Sequence, residues 1–590
     1  MEEKSMTLTK TITSEIGEYY KEWQPGQKIL ITAPTGTGKT FFVLHTLFDY
    51  AWENDKKIVY FVNRKILKMQ LEEELQRLDK QKYISSPDSY KRDIKSYLQI
   101  WTYQSLENHI REKTMSDSYY INYFDSFDYL VCDECHYFYC DSTYNTATIY
   151  SFTFLMQRFL HKISIFMSAT IENVEEAIYQ KTLLNQKNQY LKNTLSLSRE
   201  ELCNSGAIRN YSVEPDYSYV SVNLFGKKED ILEILEEYDG KWLIFVDNIE
   251  YGRKLERKIN EKYSHRGVVF VDADYKNDIN AAMTVNSLSE KQYSYKSILI
   301  ATNVLDNGVS IHDSELRNVV IMSDNRETFL QMLGRKRKDG KHVNLFIPFQ
   351  SEQFFRQRLN TVIIPSQHFI EKFYQNYRRT YTIRDEYGIL RKYDSCCNED
   401  MMRLFSDILN NPADYKTARR LCCFTYPIQQ IELNEFAIKK TYDSANYYSD
   451  LIEKFNKNGD TAFVRTQLEW IGITEGAADK IIEEYMIDRE EKEYKQIMDI
   501  LLSKSEDELL DVQNKWIKSQ IRDSVLYLLK KKATCPDKQT PLYESVTKNL
   551  LKLDRTISVT HFNFIMKILD IPFEMEKKGK SNFRIHKIKK

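Results

Sequence analysis

The sequence predicts an α/β protein: two doubly wound parallel sheets in tandem, then a mainly α-helical C-terminal region ending in a β-hairpin. Three observations carry this expectation. Short apolar, β-branched runs alternate with longer amphipathic stretches over roughly the first 350 residues. The alternation pauses over a polar stretch from about Glu172 to Glu237 and then resumes, which divides it into two halves. After Pro348 the strand-like runs fade and long polar helical stretches take over.

The first half has apolar runs at Lys28–Thr32, Ile58–Val62, Gln99–Thr102, Tyr129–Cys132 and Ile163–Ser168. Each is short and bounded by polar or turn residues, as strands buried on both faces of a parallel sheet are. Arg64–Leu78 between them is amphipathic and helical in pattern. The pause is read as mostly helical, with one strand-like run at Tyr217–Leu224. The second half has runs at Trp242–Asn248, Gly267–Asp272, Ser297–Asn303, Asn318–Asp324 and His342–Pro348. The expected domains are therefore 1–200, 201–350 and a helical region 351–590. The last stretch, Val559–Leu569, reads as a helix and is followed by a tail that alternates on either side of Lys578-Gly579-Lys580, a hairpin signal. From Ile571 to Lys590 this tail carries seven Lys/Arg against two Glu, a net of five positive charges.

Composition excludes some function classes. With 42% hydrophobic and 29% charged residues the chain is neither disordered nor fibrous, and 590 residues suit several domains. A formal net charge of −1 means that any polyanion must meet a local patch. The N-terminal stretch is polar and without an apolar leader core, and no apolar run approaches the ~18 residues that cross a bilayer, so a cytoplasmic protein with no membrane partner is expected. The nine cysteines form no paired C-x-x-C array, and reduced core thiols are expected rather than a zinc site.

The chemistry begins at "ILITAPTGTGKTFF". A strand runs into Ala33-Pro34-Thr35-Gly36-Thr37-Gly38-Lys39-Thr40 and then into a helix, the setting of a phosphate-binding P-loop. Gly36 and Gly38 let backbone N–H groups wrap a polyphosphate at a helix N-terminus. Lys39 offers a cation to the β/γ-phosphates and Thr40 a hydroxyl to Mg2+. About 95 residues on, "DYLVCDECHYF" ends an apolar strand in Asp133-Glu134. Asp133 stands where such a loop's partner carboxylate holds Mg2+, Glu134 is suited to orient or deprotonate the attacking water, and His136 to couple the site to its neighbours. Cys132 and Cys135 are expected in the core.

Asp-Glu-Cys-His after A-x-x-G-x-G-K-T resembles the superfamily 2 helicases of DExH type. Further stretches resemble that family's motifs in order: "YFVNRKIL", "TYQSL", "MSATI", "LIFVDNIEYGRKL", "ATNVLDNGVSI" and "QMLGRKRK". The ordered set spans about 300 residues and leaves 350–590 uncovered. The resemblance implies two tandem RecA-like P-loop domains and the use of ATP and Mg2+; the C-terminal hairpin, which it does not cover, is read from its own sequence as winged-helix-like. It implies that Arg64, Thr102, Gln104 and Thr302 contact the nucleic-acid backbone. Ser168 and Thr170 would couple hydrolysis to strand binding, and Asp306 and Gly308 would face the nucleotide. No glutamine motif precedes the loop, because Gln24 and Gln27 lie too close to it.

The basic run Arg335-Lys336-Arg337-Lys338 fits the family pattern Q-x-x-G-R-x-x-R at Gln331, Gly334 and Arg335. The last arginine position falls on Lys338, with Arg337 one residue early. If the run were helical, Arg335 and Lys338 would share a face. Arg335 is the expected first cation on the terminal phosphate, Arg337 and Lys338 compete for the second place, and Lys336 is expected to face solvent. The implied activity is a nucleic-acid-dependent ATPase, translocating on or unwinding DNA. The alternatives are an RNA helicase of the same chemistry, or a motor subunit recruited to a nuclease or replication partner through the C-terminal region.

Overall fold

The computed structural model describes residues 11–85, 93–111, 123–189, 198–263, 266–305, 311–336, 341–376, 379–384, 390–395, 406, 410–424, 431–502, 519, 522–527, 542, 545–551, 553, 557–578 and 582–588. It falls into two units, Met1–Gly472 and Ile473–Lys590.

The first unit contains two parallel six-stranded sheets, the tandem RecA-like domains of the expected α/β class. The first is built from β1 (Lys28–Thr32), β2 (Ile58–Val62), β3 (Leu98–Thr102), β4 (Tyr129–Asp133), β5 (Ile163–Ser168) and β6 (Ile208–Ser212), in the order β3-β2-β4-β5-β1-β6. β2, β4 and β5 are buried at every position, as their continuous apolar sequences require. Alternate side chains feed opposite faces. Ile29, Ile31, Tyr60, Val62, Val131 and Ile165 enter one core, while Leu30, Val59, Phe61, Leu130, Cys132 and Phe166 enter the other. Cys132 and Cys135 are both fully buried, the core position expected of them.

β6 was not foreseen. Its sequence, IRNYS, comes from the stretch read as mostly helical, and only Ile208 is buried along it. A polar edge strand has no second covered face and so shows no apolar run. The first sheet therefore reaches past residue 200, to Ser212.

The second sheet joins β7 (Val220–Phe225), β8 (Lys241–Phe245), β9 (Val268–Val271), β10 (Ile298–Ala301), β11 (Leu316–Ile321) and β12 (Val343–Pro348), in the order β7-β12-β11-β8-β10-β9. The helix Ile249–Lys262 lies so close to β9 that a Cβ on Gly252 would stand 2.3 Å from the Phe270 ring. Only glycine fits there.

The helical segment after β12 belongs to the same unit. Its long helix, Glu435–Asn458, begins in the first domain and continues to the second. Asn434 caps it through the amides of Phe436 and Ala437, and donates to Thr146 O at 2.8 Å and Thr148 Oγ1 at 2.9 Å. Phe436 lies in the first domain's core, its ring 5.0 Å from that of Phe152. Tyr139 donates to Asp443 at 2.8 Å. Five residues on, Tyr448 donates to Asp324 at 2.9 Å, just beyond β11 in the second domain. The region after Pro348 is less purely helical than its sequence suggested. It holds two antiparallel pairs, β13 (Arg379–Arg384) with β14 (Leu390–Ser395) and β15 (Cys422–Phe424) with β16 (Ile431–Leu433). Thr380-Tyr381-Thr382-Ile383 is a β-forming run that the surrounding polar sequence obscures.

The second unit holds the helix Glu475–Leu502, the helix Val559–Ile568 and the expected terminal hairpin, β17 (Phe573–Lys578) with β18 (Asn582–Lys587). Phe573, Met575 and Ile585 enter a core with Phe562 and Ile565. The Asn563 side chain bonds both the N–H and the C=O of Met575 at 2.8 Å. The tail is thus a seated element, and Arg584 and Lys587 ride on a packed hairpin. No helix among the described residues is long and apolar enough to cross a membrane.

Candidate nucleotide site and nucleic-acid face

The phosphate loop leaves β1 and enters a helical run that starts at Lys39. Gly36 and Gly38 take φ of 90° and 85°, the left-handed region that glycine occupies without strain. Lys39 is 7% exposed. Its Nζ donates to Ala33 O at 2.7 Å and lies 4.0 Å from Glu134 Oε1. Thr37 donates its hydroxyl to Pro34 O at 2.8 Å, tightening the turn.

Asp133 ends β4 beside this loop. One carboxylate oxygen accepts the Glu134 N–H at 3.0 Å and the other accepts the Tyr60 phenol at 2.8 Å. Tyr60 also neighbours Thr40. Burial, with the adjacent Glu134 charge, pushes the Asp133 carboxyl up to about 6. Burial acts on Glu134 in the same sense, but Lys39, His136 and Arg335 override it and hold that carboxyl well below the usual range. Glu134 has φ of 48°, unusual for a side chain with a Cβ, and its flanks pin it there. Cys135 N–H donates to Met167 O at 3.0 Å and Tyr137 N–H to Glu134 O at 2.9 Å.

These groups fit a magnesium–nucleotide. The glycine cradle and the buried lysine suit the phosphates, and the hydroxyl and the carboxylate are hard oxygen donors for a hard cation. Among the described residues no group of three or more His, Cys, Asp and Glu gathers to hold a metal by itself.

His136 ties this site to the second domain. Its Nδ1 lies 3.0 Å from Ser168 Oγ and 3.3 Å from Glu134 Oε2. Its Nε2 lies 2.7 Å from Gln331 Nε2. With the Gln331 amide donating, His136 accepts at Nε2 and carries its proton on Nδ1, toward Ser168 and Glu134. Ser168 Oγ accepts the Thr170 N–H at 3.0 Å. Gln331 lies in the helix Arg326–Leu333, and its carbonyl accepts Arg335 Nε at 3.1 Å. Arg335 is 3% exposed. Gly334 abuts the phosphate loop, since a Cβ there would stand 1.8 Å from Thr35 Oγ1.

The basic run departs from expectation at Lys336. The helix stops at Leu333, and Lys336 pairs with Ile311 in an isolated parallel bridge. Lys336 is 2% exposed rather than solvated, because extended backbone here turns it inward. Arg335 and Lys336 thus lie beyond the helix. Arg337, Lys338, Asp306 and Gly308 lie outside the described residues.

Arg64, Thr102 and Thr302 stand at or just beyond the C-terminal ends of β2, β3 and β10, the edge of an open α/β sheet where ligands bind. Arg64 pairs with Asp141 at 3.5 Å, and Gln104 Nε2 donates to Asn63 O at 2.8 Å. Thr102 is buried, and its hydroxyl accepts the Ser105 N–H at 3.1 Å, capping the helix Tyr103–Arg111. Thr302 is 8% exposed. Gln27, set aside as a base-reading residue by its position, donates to Gly206 O at 2.7 Å. Sequence reasoning missed Tyr60 and Tyr103, whose hydroxyls both bond Asp133.

Residues 5–173 match the family model described as the type III restriction enzyme, res subunit. The matched residues carry the phosphate loop, Asp133, Glu134 and His136, the stretch on which the superfamily 2 resemblance rests. The match ends just beyond the Ser168–Thr170 stretch, and no curated protein matches the chain. Among solved structures the chain is similar to Mss116p bound to ssRNA and AMP-PNP, at 16% identity over 60% of this chain and 72% of that one, with a TM-score of 0.42. It is similar to the Mycobacterium smegmatis helicase Lhr bound to ssDNA and AMP-PNP, at 12% identity, 74% and 60% coverage and a TM-score of 0.39. Dbp5 of S. cerevisiae, bound to RNA and ADP BeF3, gives 18% identity, 56% and 81% coverage and a TM-score of 0.37. Scores this low do not choose between the nucleic acids.

Proposed function

We propose that the chain is a nucleic-acid-dependent ATPase that translocates on or unwinds DNA. The observation that carries this reading is the buried hydrogen-bonded chain Thr170–Ser168–His136–Gln331–Arg335, which joins the two domains at Glu134. A P-loop protein that only bound nucleotide would have no need of a cross-domain link at its carboxylate. In this reading Lys39 meets the β/γ-phosphates, Thr40 and Asp133 hold Mg2+, and Glu134 orients the water. Arg335 meets the terminal phosphate, with Arg337 or Lys338 as second cation and Asp306 and Gly308 lining the cleft. Mg2+ would supply charge compensation for phosphoryl transfer. Arg64, Gln104 and Thr302 grip a strand's backbone. Thr102 acts through the helix it caps.

The DNA preference rests on the large C-terminal region and on the lack of a recognisable RNA-binding module in the sequence. The test is the ATPase rate with no polynucleotide, single-stranded DNA, duplex DNA and RNA at matched nucleotide concentration. DNA should stimulate most. Stronger stimulation by RNA would move the chain to the alternative RNA helicase. Stimulation without strand displacement would favour a motor subunit that meets its partner through 351–590.

The terminal hairpin supplies a further prediction. Deleting it would remove Phe573, Met575 and Ile585 from a core, so charge substitution is the cleaner probe. Arg584 and Lys587 are exposed on β18. If the hairpin is a binding wing, R584A/K587A should reduce the slope of log affinity against log salt by about 1–2. An unchanged slope would assign the hairpin to packing or protein docking.

A further inference from the structure

Tyr103 stands between Thr102 and Gln104, at the start of the helix Tyr103–Arg111, yet it faces the catalytic strand and is fully buried. Its phenol donates to the backbone carbonyl of Asp133 at 2.9 Å. Its ring stacks on Tyr137 with centroids 4.9 Å apart and planes 8° apart, and meets Phe138 edge-on at 4.8 Å. Tyr137 and Phe138 directly follow His136. Tyr103 therefore holds the Asp133–His136 segment from both ends.

One turn along the same helix, Glu107 completes the grip. It is 2% exposed and accepts the Tyr137 phenol at 3.0 Å, together with the Ser151 hydroxyl at 2.8 Å. Positions four apart share a helix face, so one face of this helix is devoted to the catalytic segment. Packing alone would be met by phenylalanine at position 103. The hydroxyl adds one specific bond, to the peptide that precedes Glu134, a residue in a left-handed conformation set by its flanks.

We propose that Tyr103 is a positioning residue that couples the nucleic-acid face to the catalytic carboxylates. The inference rests on the ATPase reading above. A strand held by Gln104 and its neighbours fixes the start of this helix, and the Tyr103 hydroxyl passes that constraint to Asp133 and so to Glu134.

The test compares wild type, Tyr103→Phe and Gln104→Ala in the full chain. It reads thermal unfolding, maximal polynucleotide-stimulated ATPase and the polynucleotide concentration giving half of it. Tyr103→Phe keeps the ring and should melt within a few degrees of wild type. Its maximal stimulation should fall about five-fold, the scale of substitutions that weaken coupling between sites, at an unchanged half-saturating concentration. Gln104→Ala should do the reverse, raising that concentration with less effect on the maximum. Wild-type stimulation in Tyr103→Phe, or a rise only in its half-saturating concentration, would overturn the coupling role. A wild-type rate that ignores polynucleotide would overturn the ATPase reading, and the inference with it.

Discussion

Replacing Arg335 by alanine should lower the nucleic-acid-stimulated ATPase rate by about a thousandfold, the lower end of the effect of an arginine that neutralises a terminal phosphate. Arg335 is buried, and the Gln331 carbonyl orients it. Its charge also helps hold Glu134 ionised. Removing it would thus take away the proposed cation at the phosphate and part of the field on Glu134. Lysine should restore only part of the rate, since a point charge lacks the planar fork that meets two phosphate oxygens. Steady-state hydrolysis at saturating polynucleotide measures this. A normal stimulated rate in Arg335→Ala would show that the finger lies elsewhere in the basic run.

Phe436→Ala should destabilise the first unit by about 3–5 kcal/mol, the usual cost of emptying a buried phenylalanine site. Phe436 opens the long helix that reaches both domains, and it packs on Phe138, two residues beyond His136. The collapse of that contact should therefore lower activity as well as stability. Denaturant unfolding of the full chain reads the first effect. Tyr442→Ala, at an exposed position of the same helix, should change stability by less than about 0.5 kcal/mol. Equal effects at the two positions would mean that the helix is not seated through Phe436.

Much of both sheets was legible because buried parallel strands are continuous apolar runs between turn residues. β2 and β5 occupy the segments expected of them. β6 was not legible, since an edge strand with one buried residue has no such run. Lys39, Asp133, Glu134 and Gln331 were picked out because their motifs are local in sequence. What joins them is not local. Tyr60 and Tyr103 reach Asp133 from 73 and 30 residues away, Gln331 reaches His136 across 195, and Tyr139 meets Asp443 across 304. Nothing near any of these residues announces its partner. Lys336 was misread for the opposite reason, because a charge run suggests solvent while its bridge to Ile311 draws it inside. Thr102 carries a second task that its motif does not announce, for its hydroxyl also caps its own helix.

On the proposed reading, hydrolysis at Lys39, Asp133 and Glu134 answers to a polynucleotide. The most direct measurement is the ATPase rate of the wild-type chain at saturating Mg2+ and ATP, before and after adding excess single-stranded DNA. The account predicts a rise of about ten-fold or more, worth at least about 1.4 kcal/mol of barrier. A rate unchanged by single-stranded DNA, duplex DNA and RNA alike would contradict it.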